Sequence, residues 1–183
     1  ADENFSVFGR IQRTFGKVRT SFNSSFNYSK INQFVQQIQS VNEGFTQTYT
    51  PSIRTNFLVA PNFNLSYRYT ITNNLQGERQ TKFVTIAPSV SFDAYIVEKF
   101  TLRSNYSYNV QEQVGANSQS FQIWNASLSY RKDKDSKWEY EAKATNLLNI
   151  SSQVRNSANT ISVFNATTFI QPRFITARVV YSL

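Results

Sequence analysis

At 183 residues the chain has room for one domain with a sizeable core, yet it is only 40% hydrophobic and has a mean hydropathy of −0.43. No stretch approaches the roughly 20 consecutive apolar residues of a transmembrane helix, and the absence of Cys and His removes disulfides, thiolate chemistry, the usual zinc sites and both Ser-His-Asp and Cys-His catalysis. The net charge of +8 comes from basic residues spread singly along the chain, and the one dense run, Arg131 to Lys137, is mixed in sign, so nucleic acid is not an expected partner.

Taken in chain order, the segments alternate apolar with polar, the period of a strand that has one greasy and one wet face. FSVFGRI carries Phe5, Val7 and Ile11 on one parity. KVRTSFNSSFNY sets Val18, Phe22, Phe26 and Tyr28 against Lys17, Arg19, Asn23 and Asn27. YTPSIRTNFLV carries Tyr49, Ile53, Phe57 and Val59, and FNLSYRYTI sets Phe63, Leu65, Tyr67, Tyr69 and Ile71 against Asn64, Ser66, Arg68 and Thr70. VTIAPSVSFDAYI offers Val84, Ile86, Val90, Phe92, Ala94 and Ile96, and FTLRSNYSYNV offers Phe100, Leu102, Tyr106, Tyr108 and Val110. WNASLSY and WEYEAKA follow, with Trp124, Leu128, Tyr130, Trp138, Tyr140 and Ala142 on the apolar parity. FITARVVYSL ends the chain with Ile175, Ala177, Val179, Tyr181 and Leu183, the pattern of a C-terminal strand signal. With 16 Phe and 10 Tyr, this is strand chemistry throughout.

Several of these segments reach or exceed the roughly 9–11 residues of a tilted membrane-crossing strand, where soluble strands run about 5–6. Aromatics gather at the segment ends. Phe57, Phe63, Phe100, Tyr130, Trp138 and Tyr181 adjoin one set of turns and are expected at a membrane interface, while Tyr28, Tyr49, Tyr69 and Tyr108 lie toward the other. Two aromatic girdles point to an all-β, antiparallel transmembrane barrel. A soluble sandwich with Tyr-rich surfaces is the competing reading. Within a barrel, Arg19, Arg54, Arg68, Arg103, Lys143 and Arg178 face the lumen, where Asp93, Glu139 and Glu141 are available to pair with them. A generic, internally paired polar lumen is the simpler account of that lining than a specific ligand site.

Tight links at TFGK, VAPN, YIVEK and KDKDS alternate with long polar connections at 36–44, 72–80, 111–118 and 146–165. Short periplasmic turns alternating with long external loops follow the barrel rule. The opening ADENF is not a signal peptide, and Ala1 is either a processed terminus or a cut made elsewhere.

The segment from Thr145 to Leu183 resembles the C-terminal end of the TonB-dependent receptor-like outer-membrane barrels, through NLLN at Asn146 to Asn149, a long loop, and QPR at Gln171 to Arg173. Tyr28 to Phe34, APNFNLSYRY at Ala60 to Tyr69, DSKWEY at Asp135 to Tyr140 and a turn at Ala94–Tyr95–Ile96 are similar to the same family, so the resemblance spans nearly the whole chain. Leu183 departs from the pattern, since a terminal aromatic is commoner there. The resemblance implies the wall of a transporter that imports bulky nutrients across the outer membrane of a Gram-negative bacterium, without enzymatic activity or a cofactor. It also implies that residues 1–183 are about nine C-terminal strands of a barrel of about 22, with the plug and N-terminal strands outside this chain. The implied partners are outer-membrane lipid, the remaining strands and plug of the same receptor, and TonB, a surface lipoprotein or the barrel-assembly machinery. The alternatives are a small closed structural or adhesive barrel, a barrel fragment held as a substrate by the assembly machinery, and a soluble β-rich binding module.

Overall fold

The computed structural model describes residues 2–35, 38–58, 61–96, 99–115, 118–133, 135–158 and 163–182. Its strands are β1 (Glu3–Phe15), β2 (Val18–Val35), β3 (Ile38–Thr55), β4 (Asn62–Gln76), β5 (Arg79–Ile96), β6 (Phe100–Gln113), β7 (Gln119–Arg131), β8 (Trp138–Thr145), β9 (Ser152–Ala158), β10 (Val163–Phe169) and β11 (Phe174–Tyr181). Nine of them form one sheet in the order β1-β2-β3-β4-β5-β6-β7-β8-β11, while β9 and β10 pair as a separate hairpin. Every ladder is antiparallel.

The register gathers the apolar parity of all nine strands onto one face. At one side Ile11 faces Phe22, which faces Pro51. Across the centre Ile53, Leu65, Val90, Tyr106 and Trp124 follow one another from strand to strand. At the far side Tyr130, Tyr140 and Val179 do the same. A slip of one residue in any strand would invert its faces, so this uniform parity specifies the register. On β4 from Phe63 to Ile71, β5 from Val84 to Ile96, β6 from Phe100 to Val110, β7 from Trp124 to Tyr130, β8 from Trp138 to Ala144 and β11 from Ile175 to Tyr181, that face carries no charged side chain.

Nothing among the described residues covers this face. The elements chiefly touch their ladder neighbours, and β9 also packs against β7. Phe83 and Ala94 are the only apolar residues buried among those described. Ile11 is 73% exposed and Ile175 75%, and even Leu65 in the middle of the sheet is 45% exposed. Strand order and backbone pairing, rather than a side-chain core, therefore hold the sheet together.

Several boundaries differ from those expected. Of the polar stretches expected as loops, 38–44 and most of 72–80 are strand: β2 and β3 stay paired up to Val35 and Ile38, and β4 and β5 up to Gln76 and Arg79, whereas in 111–118 only the first three residues belong to β6. At 18 residues, β2, β3 and β5 exceed the roughly 9–11 needed to cross a bilayer, and their surplus is this polar part. Backbone ladders do not require apolar side chains; here Thr46–Thr72 and Thr48–Thr70 hydroxyl pairs at 3.4 and 3.2 Å support them. The region 146–165 contains β9 and the start of β10. Ala94, Tyr95 and Ile96 are the end of β5 rather than a turn, and β3 stops at Thr55, leaving Phe57 in the link to β4. Val59 and Leu183 lie outside the described residues.

Two prolines stand inside central strands, and the ladder yields at each. Pro51 remains in register with Phe22, but the β3–β4 ladder is interrupted between Tyr49 and Ser52. Pro88 remains in register with Tyr67, and the β5–β6 ladder is interrupted between Ile86 and Ser89. A proline lacks the N–H that would bond on that side. Elsewhere the turns are tight. Gly16 and Gly77, at φ +57° and +60°, each open a two-residue hairpin turn whose first central position needs a left-handed residue.

β1 and β11 are the two edges, and the sheet is open. As first and ninth in an antiparallel order, they run in the same direction.

Candidate functional site

The polar face holds the cations expected to line a lumen. Arg19 and Arg54 are direct cross-strand neighbours, Arg68 shares their face on β4, and Arg103, Lys143 and Arg178 occupy it on β6, β8 and β11. They do not converge on one centre. On the β5–β11 side the cations meet acids: Arg103 Nε lies 3.7 Å from Asp93, Arg178 Nη2 2.8 Å from Glu141, and Arg131 Nη2 donates to Glu139 at 2.7 Å. Arg131 was not among the expected lining residues, because the mixed-charge run that begins there reads as a turn.

Between these cations the face is lined by hydroxyls and amides. Ser21 and Ser52 share a hydrogen bond of 2.7 Å, and Asn125 Nδ2 donates to Asn105 Oδ1 at 3.0 Å. Three depressions each include expected cations. The first, about 350 Å³, is lined by Thr14, Gly16, Lys17, Arg19, Arg54 and Asn56. The second, about 420 Å³, includes Arg68 with Thr48, Thr50 and Thr70. The third, about 290 Å³, brings Arg103, Asp93 and Lys143 together. The parity of the sequence put Arg19 and Arg54 on one face; that they stand opposite each other follows only from the register.

The apolar face is organised at its ends. Beside the turns that link β5 to β6 and β7 to β8, Phe100 and Tyr130 have ring centroids 4.9 Å apart, and Tyr130 reaches Tyr140 at 6.4 Å. Trp138 and Tyr181 meet at 4.8 Å, and Phe63 and Phe92 at 5.1 Å. Phe57 sits in the adjoining link, where its backbone N–H donates to Asn62 Oδ1 at 2.6 Å. Further along the same face, between β2 and β3, Tyr49 packs on Phe22 and Phe26 at 6.3 and 5.8 Å. Polar tips on this face find partners within it. Trp124 Nε1 donates to Ser104 Oγ at 2.9 Å, and the Tyr106 hydroxyl to Gln122 at 2.8 Å. Beyond Tyr28 and Phe45, Lys30 pairs with Glu43 at 3.3 Å, and the Glu43 carboxylate raises the lysine's pKa above its ordinary value, first by hydrogen bonding and then by charge.

The end of β8 carries a clamp built from NLLN. Asn146 and Asn149 adopt left-handed φ of 52° and 54°, a conformation Asn tolerates better than most residues. Asn146 is 1% exposed. Its N–H donates to Asn125 Oδ1 at 2.9 Å, its Nδ2 donates to the carbonyls of Ile150 and Gln171 at 2.8 and 3.0 Å, and its Oδ1 accepts from the Ile150 N–H at 3.0 Å. Asn149 Oδ1 accepts from the Arg173 N–H at 3.1 Å. Both feet of the β9–β10 excursion are thereby fixed to the main sheet.

Comparison with protein-family models, with curated proteins and with solved structures returned no match.

Proposed function

We propose that this chain is part of the wall of an outer-membrane β-barrel, in a transporter of the TonB-dependent receptor-like type that imports bulky nutrients. The observation that carries the reading is the apolar face: it runs uncharged through the spans given above on β4 to β8 and β11, ends in aromatic clusters, and has no second layer over it among the described residues. In water such a face would be an aggregation hazard. In a bilayer it is the lipid-facing surface, with aromatics at headgroup level and a polar interior behind it.

The open edges support a larger barrel rather than a small closed one. Edges that run in the same direction would pair parallel if this sheet closed on itself, whereas outer-membrane barrels are antiparallel. Antiparallel closure takes an odd number of additional strands, and an unpaired edge in hydrocarbon costs several kcal/mol for each exposed backbone group. Those strands come from the rest of the same receptor; strands of the barrel-assembly machinery would meet the same requirement. The soluble-module alternative lacks an element to cover the apolar face among the described residues.

The test is fractionation of bacterial envelopes containing the chain. Retention in the outer-membrane fraction through high-pH and urea washes, with release only by detergent, is expected. Recovery in the wash supernatant as a folded, detergent-free protein overturns the reading.

A further inference from the structure

Cations and acids divide the polar face unequally. On β1 to β4 that face carries Arg10, Arg19, Arg54 and Arg68, with Lys17 in the adjoining turn, and no acidic residue among the described positions. All three acids of the polar face, Asp93, Glu139 and Glu141, lie on β5 and β8 and are each within ion-pair distance of an arginine. At the short-turn end of the uncompensated half, Arg19 and Arg54 are register partners, an arrangement that like charges make unfavourable unless something negative lies between them.

The surroundings form a cavity rather than a flat patch. Lys17, Arg19 and Arg54 line the same space of about 350 Å³ with the Thr14 and Asn56 side chains. The Asn56 N–H donates to the Lys17 carbonyl at 2.8 Å and ties the end of β3 to the β1–β2 turn, so the lysine and the arginines belong to one frame. Gly16 also lines this space, and its φ of +57° disfavours any other residue in the turn.

We propose that Lys17, Arg19 and Arg54 form a binding site for a phosphate group, either free in solution or carried by a larger anion. Two planar guanidinium forks present paired N–H donors to tetrahedral oxygens, and the lysine adds a point charge. Three cations without an acid match an anion of charge −2 better than a single carboxylate. The site rests on register and charge alone and stands whether or not the apolar face meets lipid.

The experiment is isothermal titration of the detergent-solubilised chain, in its native assembly, with inorganic pyrophosphate at low ionic strength. A parallel arm uses uncharged micelles doped with phosphatidic acid in place of the soluble anion. Saturable binding in either arm is expected, weakened about tenfold by Arg19→Gln or Arg54→Gln, each removing one charge-assisted contact. The arm that binds identifies the source of the phosphate. Arg103→Gln, which alters an arginine already paired with Asp93, leaves the affinity unchanged. A second readout guards against misfolding: pyrophosphate raises the thermal midpoint of the parent chain, and in phosphate-free buffer Arg19→Gln has a midpoint equal to or above the parent's, because a like-charge contact is gone. Absence of saturable binding in both arms, or equal loss of affinity from Arg103→Gln, overturns the proposal.

Discussion

Asn146, at the end of β8, donates through Nδ2 to the carbonyl of Gln171, 25 positions later, at 3.0 Å. The same amide spans Ile150 on both its N–H and its carbonyl, so one buried side chain closes the base of the entire β9–β10 excursion. Asn146→Ala removes three hydrogen bonds, strands carbonyls in a buried site and keeps a left-handed φ that alanine resists. A loss of about 3 kcal/mol in denaturant unfolding is expected. Limited proteolysis should show the damage first between Ser151 and Ile170, with the ladders from β1 to β7 retained.

The two faces should respond oppositely to charge. Tyr106→Arg places a cation on the uncharged face and is expected to cost about 2–4 kcal/mol if it lies near the bilayer midplane. Asn105→Arg, one residue away on the polar face, should cost much less. Urea titration of both variants in lipid vesicles makes the comparison, and equal tolerance would count against the membrane assignment.

Much of this arrangement can be read from parity. Phe63, Leu65, Tyr67, Tyr69 and Ile71 announce both a strand and the face it shows, and the same holds for the other eight strands of the sheet. The polar ends of β3 and β4 are invisible to that test, since Asn42, Glu43, Asn73 and Asn74 lie beyond the apolar alternation and are held by backbone pairing. SQVRNSA and VFNATTF lack sustained alternation, so β9 and β10 read as loop. NLLN is conspicuous as a string, yet its work depends on left-handed backbone at Asn146 and Asn149 and on carbonyls brought back from a distance. The Arg19–Arg54 juxtaposition likewise needs the register, which no single strand contains.

The ion pair between Lys30 and Glu43 gives a pH dependence of known sign. Because the folded lysine's pKa is raised, the pair's contribution is fully present below the ordinary lysine value and is lost as pH rises through the folded one. Nitrogen-detected titration should find Lys30 deprotonating above the ordinary lysine value, and Glu43→Gln should remove the difference. Both partners are solvent-accessible, so Lys30→Gln should leave overall stability nearly unchanged.

Arg178 and Glu141 join the last strand to β8 across the polar face. The arginine side chain is 65% exposed and the pair is open to solvent screening. A double-mutant cycle with Arg178→Gln and Glu141→Gln should give a coupling of about 0.2–1 kcal/mol that declines with added salt. A coupling several times larger would indicate that this region is desolvated.

The central claim is that the apolar face meets lipid, and the two tryptophans of the chain, Trp124 and Trp138, both lie on it. Trp138 belongs to the aromatic cluster beside the short turns, while Trp124 stands well inside β7, six residues above Tyr130 in the same strand. Fluorescence quenching by lipids brominated at different acyl depths, with the chain reconstituted in vesicles, reads both positions at once. The account predicts that both are quenched by lipid and shielded from aqueous iodide, with Trp124 responding most to deep bromines and Trp138 to shallow ones. Efficient iodide quenching of both, with no response to brominated acyl chains at any depth, would contradict it.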